Sequence, residues 1–498
     1  MPPLIAPLYA LMQSMNCDRF AVGLLTAATY LALTYVAFGS SGSQEGDLVI
    51  TNARLYDGTG APIRENISIE IEAGRVVSIK RGASNTQGNV LDVSGAIVMP
   101  GLIDSHVHLA LVPGAGLRDD PPELTRELIR AHLRGYLASG VTTVLDTGIP
   151  VNFAREIRAW LKSGNPGPNV YFLAPFLTPA GGYGTDPSIG ISFRGFETER
   201  DIEELFDEAE ILSPVGVKVA IEFGFGVDAV FAVPDSAARK AIASLADQRG
   251  LPIYVHGSSE KENRIGLEMG AHALVHALFE TGEPSESFIQ HVATNKVYVI
   301  PTFSVDDSML MAIERERIED PLVQLVVPEI EIDTASDPES WKRLARIFAR
   351  GRLGTAASEI EVERIGQEIE SLAWAKASIE RNQAAVRRLH TAGAPIVVGS
   401  DSGNWPVIPY VFHGPTTIRE MELLEEAGLT PHEVLRAATY TPAEMLGLSA
   451  DIGTIEIGKR ADLIICDTAS FEHVSVLRAL KWVVKDGVAK TPAQWMKH

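Results

Sequence analysis

The chain reads Val98-Met-Pro-Gly-Leu-Ile-Asp-Ser-His-Val-His108 where an apolar run leads into two histidines spaced two residues apart. On a β-strand, side chains two positions apart point to the same face. His106 and His108 are therefore expected to reach one point in space from the end of one strand. Two neutral imidazoles form half of a site for a divalent transition metal. A His-x-His pair also occurs for structural reasons alone, so the residues at the ends of other apolar runs decide the interpretation.

The middle of the chain alternates short apolar runs with amphipathic stretches, which predicts parallel strands joined by helices. Helical sequence separates the runs, for example at residues 121–138, 197–212 and 235–248. Eight such units predict a TIM barrel, an α/β fold whose active site lies at the C-terminal ends of the strands. The predicted strands are 96–103, 141–146, 170–174, 217–221, 252–256, 273–276, 297–301 and 396–401.

Short strand-like runs separated by glycine-containing turns flank this region on both sides. We therefore predict a small β-sandwich domain built from both chain ends, residues 45–98 and 447–498, beside a (β/α)8 barrel at residues 99–446. The seventh connection, at about 304–392, is too long for one crossover and has helical composition. It would serve as a lid over the barrel mouth or as an oligomer contact.

Four residues that can bind a metal or accept a proton accompany later strands: Lys218, His256, His276 and Asp401. The charged amine of Lys218 is costly to bury in its apolar strand unless it is paired, although a lysine can also extend its head group to the barrel rim. His276 is preferred to His272, which lies roughly 13 Å upstream at ~3.3 Å per residue. Asp401 can bind a cation and accept a proton. Together with the histidine pair of the first strand, these residues predict a two-metal site in the barrel mouth.

The composition is that of a large globular protein with an acidic surface. The chain has 498 residues, 46% of them hydrophobic, and a formal net charge of −21. The negative charge disfavours nucleic acid as a partner. The two cysteines, Cys17 and Cys466, are too few for a disulfide framework. We expect a small-molecule substrate and assembly into a homo-oligomer.

An uncharged apolar segment occupies residues 20–38 and is followed by a polar linker. As a helix it would span about 28 Å, close to the thickness of a bilayer core. We interpret residues 1–44 as a signal peptide or membrane anchor plus linker. Arg19 before the segment and Glu45 after it favour a cytoplasmic N-terminus. The rest of the chain is then periplasmic or extracellular, membrane-anchored if the segment is not cleaved; a buried helix of a soluble protein is the alternative.

The metal-site pattern is accompanied by four further sequence segments, at residues 47–60, 140–148, 438–448 and 453–463. With the six residues above, they resemble the metal-dependent amidohydrolase superfamily, in its binuclear branch with a carboxylated lysine. Three stretches resemble its Xaa-Pro/Xaa-Arg dipeptidase and imidazolonepropionase-like group: residues 167–170, 181–184 and 413–424. The sequence departs from that group at Tyr183, where histidine is common, and at Leu145, where arginine is common. It also lacks, after Lys218, the tyrosine or arginine associated with a dipeptide carboxylate.

The resemblance implies a hydrolase that cleaves an amide (C–N) bond of a small molecule or dipeptide-like substrate. The implied ligands are His106, His108 and Asp401 for one divalent ion, His256 and His276 for the other, and Lys218, carboxylated by carbon dioxide, as the bridge. A metal-bridging hydroxide attacks the carbonyl, and Asp401 takes up the proton and delivers it to the leaving amine. Tyr183 donates to the oxyanion. Zinc is the default metal for nitrogen and oxygen ligands.

Some roles stay open. Tyr183 is either an oxyanion donor or a packing aromatic, His413 contacts substrate or begins the last barrel helix, and Asn404 and Trp405 line the pocket by position.

Two other functions are alternatives. A mononuclear deaminase of the same superfamily dispenses with the lysine and uses a glutamate three residues after the histidine of the fifth strand. Here Glu260 is four residues after His256, and Lys218 is present. A non-catalytic barrel that acts as a scaffold would usually lose ligands, whereas all six are present.

Overall fold

The computed structural model describes residues 47–83, 89–115, 126–185, 192–224, 231–276, 283–311, 315–353, 358–369, 372–404 and 408–497. The apolar segment at residues 20–38 and the pocket candidate Trp405 lie outside this part of the chain. Among the described residues, no helix combines the length and the apolar character that crossing a membrane requires.

The first strands of the described chain belong to one sheet: β1 (Leu48–Leu55), β2 (Arg64–Glu72), β3 (Arg75–Arg81), β4 (Asn89–Asp92) and β5 (Ile97–Pro100). Strand β1 lies at the centre and pairs antiparallel with β2 and parallel with β4 and β5. In β2, Ile67, Ile69 and Ile71 are spaced two residues apart and are buried. This spacing gives the strand one apolar face, which packs into the core of the sheet.

Gly101 separates β5 from the next strand, β6 (Leu102–Val107). The prediction of one strand over residues 96–103 is therefore wrong, because the run is divided between two sheets. A side chain at Gly101 would place its Cβ 2.2 Å from Thr142 Oγ1. The chain can pass this close to its neighbour only because position 101 is glycine. The apolar pattern gives no sign of the break, since both strands are buried throughout, and the mark in the sequence is the Pro100-Gly101 dipeptide.

A ring of parallel strands follows, each paired with the next in chain order. Within the described residues it consists of β6, β7 (Val141–Asp146), β8 (Asn169–Leu177), β9 (Gly216–Ala220), β10 (Ile253–His256), β11 (Ala273–Val275) and β12 (Tyr298–Ile300). These correspond to the first seven predicted barrel strands, with ends shifted by a few residues.

The eighth predicted strand, at residues 396–401, is not a regular strand in the described chain. It still closes the ring through backbone hydrogen bonds on both sides. Val397 N donates to Val299 O at 2.9 Å, and Asp401 N donates to His106 O at 2.8 Å. The prediction of regular strand geometry is wrong here, whereas the TIM-like α/β barrel is confirmed.

The end of the chain returns to the first sheet with β13 (Leu463–Cys466), β14 (Leu480–Lys485) and β15 (Val488–Lys490). Strand β13 pairs antiparallel with β5, so that both ends of the described chain contribute to a single sheet of eight strands. A second β unit built from both ends was expected and is present.

Helices cover the barrel strands. Those of the described chain outside the long seventh connection are Arg126–Ala138, Val151–Lys162, Glu199–Glu210, Ser236–Gln248, Glu260–Glu268, Glu286–Thr294, Pro415–Glu426, Pro431–Ala437, Tyr440–Met445 and Pro492–Trp495. A capping box formed by Thr198 and Asp201 begins the Glu199–Glu210 helix. A short 3₁₀ helix spans Val474–Ala479.

The long connection between β12 and the eighth segment is helical. Its described helices are Phe303–Met311, Pro321–Val326, Glu329–Ser336, Pro338–Leu353, Glu359–Ile369 and Leu372–Thr391, with a 3₁₀ helix at Arg315–Glu319. We call these elements the insertion.

Candidate metal centre

One cavity at the C-terminal ends of the barrel strands gathers all the predicted ligands. The cavity is lined by His106, His108, Lys218, His256, His276 and Asp401. They come from β6 and the residue after it, β9, β10, the residue after β11 and the eighth segment, which meet there because the strands of the ring are parallel. Tyr183 and Asn404, also expected near the site, line the same cavity.

The two histidines of the opening motif converge as their spacing predicts. His106 Nε2 and His108 Nε2 lie 3.2 Å apart. Asp401 Oδ1 lies 3.3 Å from the first nitrogen and 3.2 Å from the second. His276 joins this group, since ligand atoms of His106, His276 and Asp401 all lie within 4.8 Å of one another. Two imidazole nitrogens and a carboxylate oxygen facing one point form a donor set suited to a divalent cation.

Several buried polar atoms of this cluster lack a hydrogen-bond partner among the described residues. They are His106 Nδ1, Lys218 Nζ, His256 Nε2 and Asp401 Oδ1. Nearly all buried polar atoms in folded proteins are hydrogen-bonded. Such a group of orphaned polar atoms in one cavity therefore fits a site that bound metal ions complete.

Burial sets the protonation of the buried histidines. Desolvation by burial, followed by the charge of Lys218, lowers the pKa of His106 well below its usual value. Desolvation, followed by His256, does the same to the pKa of His276. Neutral imidazoles keep the lone pair that metal binding needs. Thr302 Oγ1 lies 2.8 Å from His276 Nδ1, so a proton on Nδ1 directs Nε2 to the metal side.

Lys218 is buried in the middle of β9, with 1% of its surface exposed. Desolvation lowers its pKa from 10.5 to about 7, against the opposing charge of Asp401. A substantial fraction of the amine is therefore uncharged at neutral pH, which is the form that reacts with carbon dioxide. The alternative of a lysine that extends its head group to solvent does not fit this burial.

The backbone is strained where the ligands lie. His276, Thr302 and Asp401 have φ values of 65°, 52° and 53°. This left-handed conformation is uncommon for residues other than glycine and is an outlier for a β-branched threonine. Such strain persists only where the surroundings enforce it, and it clusters at functional sites.

Two buried acids hold the end of β6 and the residues after it, which carry His106 and His108. Asp104 accepts hydrogen bonds from Ser400 Oγ and Thr417 Oγ1, both at 2.6 Å, and burial raises its pKa to about 6. Asp146 accepts from Leu109 N at 2.9 Å, and burial raises its pKa to about 6 as well. Neither acid was predicted from the sequence. Their positions in the sequence could have suggested both, because Asp104 lies just before the His106 and His108 pair and Asp146 is the last residue of the adjacent strand β7.

Tyr183 lies against the fifth-strand histidine. Its ring stacks on that of His256 with centroids 4.3 Å apart. Burial, followed by the charge of Asp401, raises the pKa of Tyr183 well above its usual value, so the phenol stays protonated and can act as a donor. Asn404 Nδ2 donates to Asp401 Oδ2 and orients the carboxylate.

Two other histidines lie outside the cluster. His413 precedes the Pro415–Glu426 helix, lies between Tyr136 and Leu111, and is not among the residues that line the cavity. His272 precedes β11, and its Nε2 atom lies 2.9 Å from Met445 O. Its position agrees with the choice of His276 as the candidate ligand.

Comparisons with known proteins agree with this arrangement. Residues 97–496 match the model of the amidohydrolase family. The chain belongs to the amidohydrolase family, and the predicted class of hydrolase is confirmed. Enzymes of this family generally use divalent metal ions, in keeping with the ligand atoms found here.

Individual relatives are distant. A 5-methylthioadenosine/S-adenosylhomocysteine deaminase from Symbiobacterium thermophilum is 23% identical over 450 residues, covering 84% of this chain and 85% of the relative. An adenine deaminase from Chelativorans sp. is 25% identical over 244 residues, but the match spans only 36% of that protein. Among solved structures, a Xaa-Pro dipeptidase with bound methionine has a TM-score of 0.66 at 22% identity, covering 89% of this chain and 99% of that chain. At this identity the likeness shows the fold.

Proposed function

We propose that the protein hydrolyses a carbon–nitrogen bond, of the amide type, in a small molecule, using two divalent metal ions. The observation that carries the proposal is the fully buried amine of Lys218 among four histidines and a carboxylate in one cavity. A mononuclear deaminase has no use for a lysine at this position. Dipeptidase and deaminase relatives both act on carbon–nitrogen bonds by their names, which supports the bond type.

The chain's own residues would hold the ions in two groups. His106, His108 and Asp401 converge on one point and would hold the first. His256 and His276, whose rings lie 4.5 Å apart, would hold the second. The uncharged amine of Lys218 would add to the carbon of carbon dioxide and release one proton, giving an anionic carbamate between the groups. Zinc suits these nitrogen and oxygen donors.

Bound ions would polarise the carbonyl and make water nucleophilic near neutral pH. Asp401 would take the proton of the attacking water. In support, one of its oxygens faces the histidine pair, and the other accepts a hydrogen bond from Asn404 that orients the carboxylate. The same carboxyl group would then return the proton to the leaving nitrogen. The protonated phenol of Tyr183 would donate a hydrogen bond to the developing oxyanion.

The remaining walls of the cavity indicate a substrate that is uncharged near the scissile bond. Apart from the six candidate ligands, the described lining residues are Leu111, Phe176, Tyr183, Phe193 and Asn404. The rings of Phe176 and Phe193 stack with centroids 4.3 Å apart. Within this described lining, the five residues carry no charge that would bind a substrate carboxylate. A neutral amide with an apolar substituent fits better than a dipeptide.

Metal content and activity measured on one sample test the proposal. Elemental analysis of fully loaded protein should give two divalent ions per chain, and the loaded protein should hydrolyse simple aryl amides. Removal of the ions with a chelator should abolish hydrolysis, and added zinc should restore it. One ion per chain or fewer in fully active protein contradicts the two-metal function.

We also propose that residues 1–44 direct export and are separate from the catalytic unit. The support is the uncharged apolar segment at residues 20–38, which precedes every candidate ligand. Protein that begins at Gln44 should keep full activity and lose export or membrane association. An inactive but folded truncated protein would place the segment in the catalytic unit.

A further inference from the structure

The carboxylate of Glu222 lies beside the candidate ligand His256. Its Oε2 atom is 3.5 Å from His256 Nε2, and its side chain is completely buried. His256 Nε2 is itself buried and has no hydrogen-bond partner within the described residues. The buried Nε2 atom of His256 and the carboxylate of Glu222 therefore face each other.

Strand pairing brings the two residues together. His256 is the last residue of β10 and pairs with Ala220, the last residue of the adjacent strand β9. Ile221 N donates to His256 O at 2.9 Å, which continues the alignment one residue past the strand end. Glu222 comes next, so its position follows from the barrel itself.

The Glu222 carboxylate is held in place independently of His256. Gly224 N donates to Oε1 at 2.8 Å, and Ser258 Oγ donates to Oε2 at 2.7 Å. A second buried acid, Glu262, accepts from Ser258 N at 2.8 Å and fixes that serine. The carboxylate is thus oriented before any metal or substrate binds.

The aromatic neighbours of His256 fix the plane of its ring but not the direction in which each ring nitrogen points. Tyr183 stacks on it at 4.3 Å with an interplanar angle of 25°, and His276 meets it edge-on at 4.5 Å. A half-turn about the Cβ–Cγ bond keeps the ring plane, and therefore the stacking, but exchanges the two edges of the ring. A hydrogen bond to one nitrogen prevents this half-turn. A histidine that binds metal through one nitrogen usually donates the N–H of the other to a carboxylate or carbonyl group.

We infer that Glu222 is a positioning residue for the metal centre, which accepts the Nε2–H of His256 and turns the Nδ1 lone pair toward the second metal. The inference rests on the proposed two-metal function and deepens it. Glu222 touches neither the reacting atoms nor the substrate in this role. It fixes the tautomer and the orientation of the ring and raises its basicity through a charged acceptor.

Metal retention is the measurement that tests this role. Wild-type protein, Glu222→Ala, Glu222→Gln and Glu262→Gln are loaded with zinc and dialysed against graded concentrations of a chelator, and bound metal is then measured. Loss of such a partner typically weakens metal binding about 10- to 100-fold. Glu222→Ala should therefore lose one ion at a chelator concentration about 10- to 100-fold lower than the wild type requires, and keep the other.

The Glu222→Gln and Glu262→Gln variants separate positioning from direct ligation and from general damage to the pocket. Glu222→Gln keeps an acceptor without a charge and should retain the ion better than the alanine variant. Glu262→Gln keeps a side-chain oxygen that can accept from Ser258 N, so Ser258 still holds Glu222, and this variant should resemble wild type. The visible absorption of cobalt-substituted protein should change in Glu222→Ala and stay unchanged in Glu262→Gln.

Distinct results would overturn the inference. Unchanged retention in Glu222→Ala shows that the carboxylate does not support the metal. Equal loss in the Ala and Gln variants indicates a direct ligand, and equal loss in Glu262→Gln indicates general damage to the pocket. None of these readouts depends on hydrolysis, so a wild-type protein that binds two ions but cleaves no amide contradicts the proposed activity alone.

Discussion

Glu331 Oε1 lies 2.7 Å from His132 Nε2, and the contact joins the insertion to the barrel. Both side chains are buried, and the His132 ring stacks on His413 with centroids 3.8 Å apart. The Nε2 atom of His413 in turn lies 3.1 Å from the carbonyl oxygen of Leu111, a residue of the loop that follows His108. The insertion is therefore connected, through two stacked imidazoles, to a loop that lines the candidate metal centre.

This pair makes stability depend on pH. Burial raises the pKa of Glu331 from 4.5 to about 8 and lowers the pKa of His132 to about 3, so both are neutral near pH 6. Between pH 4.5 and about 8 the folded protein holds a proton on Glu331 that the unfolded chain releases. The free energy of unfolding then falls as pH rises through this window, by at most about 1.4 kcal/mol per pH unit from this group. Below the usual histidine pKa of 6.5, His132 contributes with the opposite sign, because the unfolded chain binds a proton that folded His132 does not.

Glu331→Gln tests the effect, because glutamine resembles the protonated acid. The urea midpoint of the wild type should drop between pH 7 and pH 8, where His132 is mostly neutral in both states, and the drop should be smaller in Glu331→Gln. Asp306→Asn should also make the drop smaller, but to a lesser extent, since burial raises the pKa of Asp306 only to about 7 at another place in the insertion. An equal drop in wild type and Glu331→Gln would assign the pH dependence to other groups.

Lys218→Ala should bind fewer metal ions and lose most of its activity. The change removes the buried amine that would form the carbamate bridge between the two ligand groups. Short carboxylic acids, which supply a carboxylate to the vacated space, should restore part of the activity. Rescue by acetate or propionate but not by a neutral amide of the same size supports the carbamate specifically. Full activity of Lys218→Ala at normal metal content would contradict the bridge.

The charge of the substrate should matter more than its size. With the uncharged wall formed by residues such as Phe176 and Phe193, acetanilide should be cleaved faster than 4-acetamidobenzoate, which has the same scissile bond and an added carboxylate. The measurement is kcat/KM for the pair on the same metal-loaded sample. Phe176→Ala should lower kcat/KM for the anilide and have less effect on acetamide. Preference for the carboxylate substrate would show that a cation binds it.

The gathering of the six candidate ligands in one cavity could be predicted from sequence, because they share one property. Each lies at or near the end of an apolar run, and parallel strands bring such ends together. The apolar pattern did not predict the break at Gly101, because the break depends on a close approach to Thr142 of another strand, where a Cβ added at position 101 would lie 2.2 Å from Oγ1. Nor did this pattern predict the pairing of Glu331 with His132, which are 199 residues apart. The hydrophobic pattern records burial, but it does not record which buried polar groups meet.

Strand ends were predicted less well than strand positions, for a related reason. Ile221 and His276, the residues that follow β9 and β11, are buried like the strands themselves, so burial continues past the strand ends. At His276 the backbone turns to a φ of 65°, and β11 ends at the residue before it. Glu222 was likewise passed over, because its partner His256 is contributed by the adjacent strand.

Asp401→Asn is the sharpest test of the proposed mechanism. The carboxylate lies 3.3 and 3.2 Å from the Nε2 atoms of His106 and His108 and is oriented by Asn404. Asparagine keeps the shape and one acceptor oxygen but cannot take up the proton of the attacking water. Loss of a general base typically lowers the rate by about 10² to 10⁴. kcat should therefore fall by at least about 100-fold while most of the metal remains.

Two controls make this result specific to Asp401. Metal content is measured in the sample used for kinetics, so that a loss of ions is not mistaken for a loss of proton transfer. Asn404→Ala removes the hydrogen bond that orients the carboxylate and keeps the carboxylate itself, so its kcat should fall less than that of Asp401→Asn. If Asp401→Asn keeps both ions and its kcat falls less than about tenfold, the proton is accepted by another group.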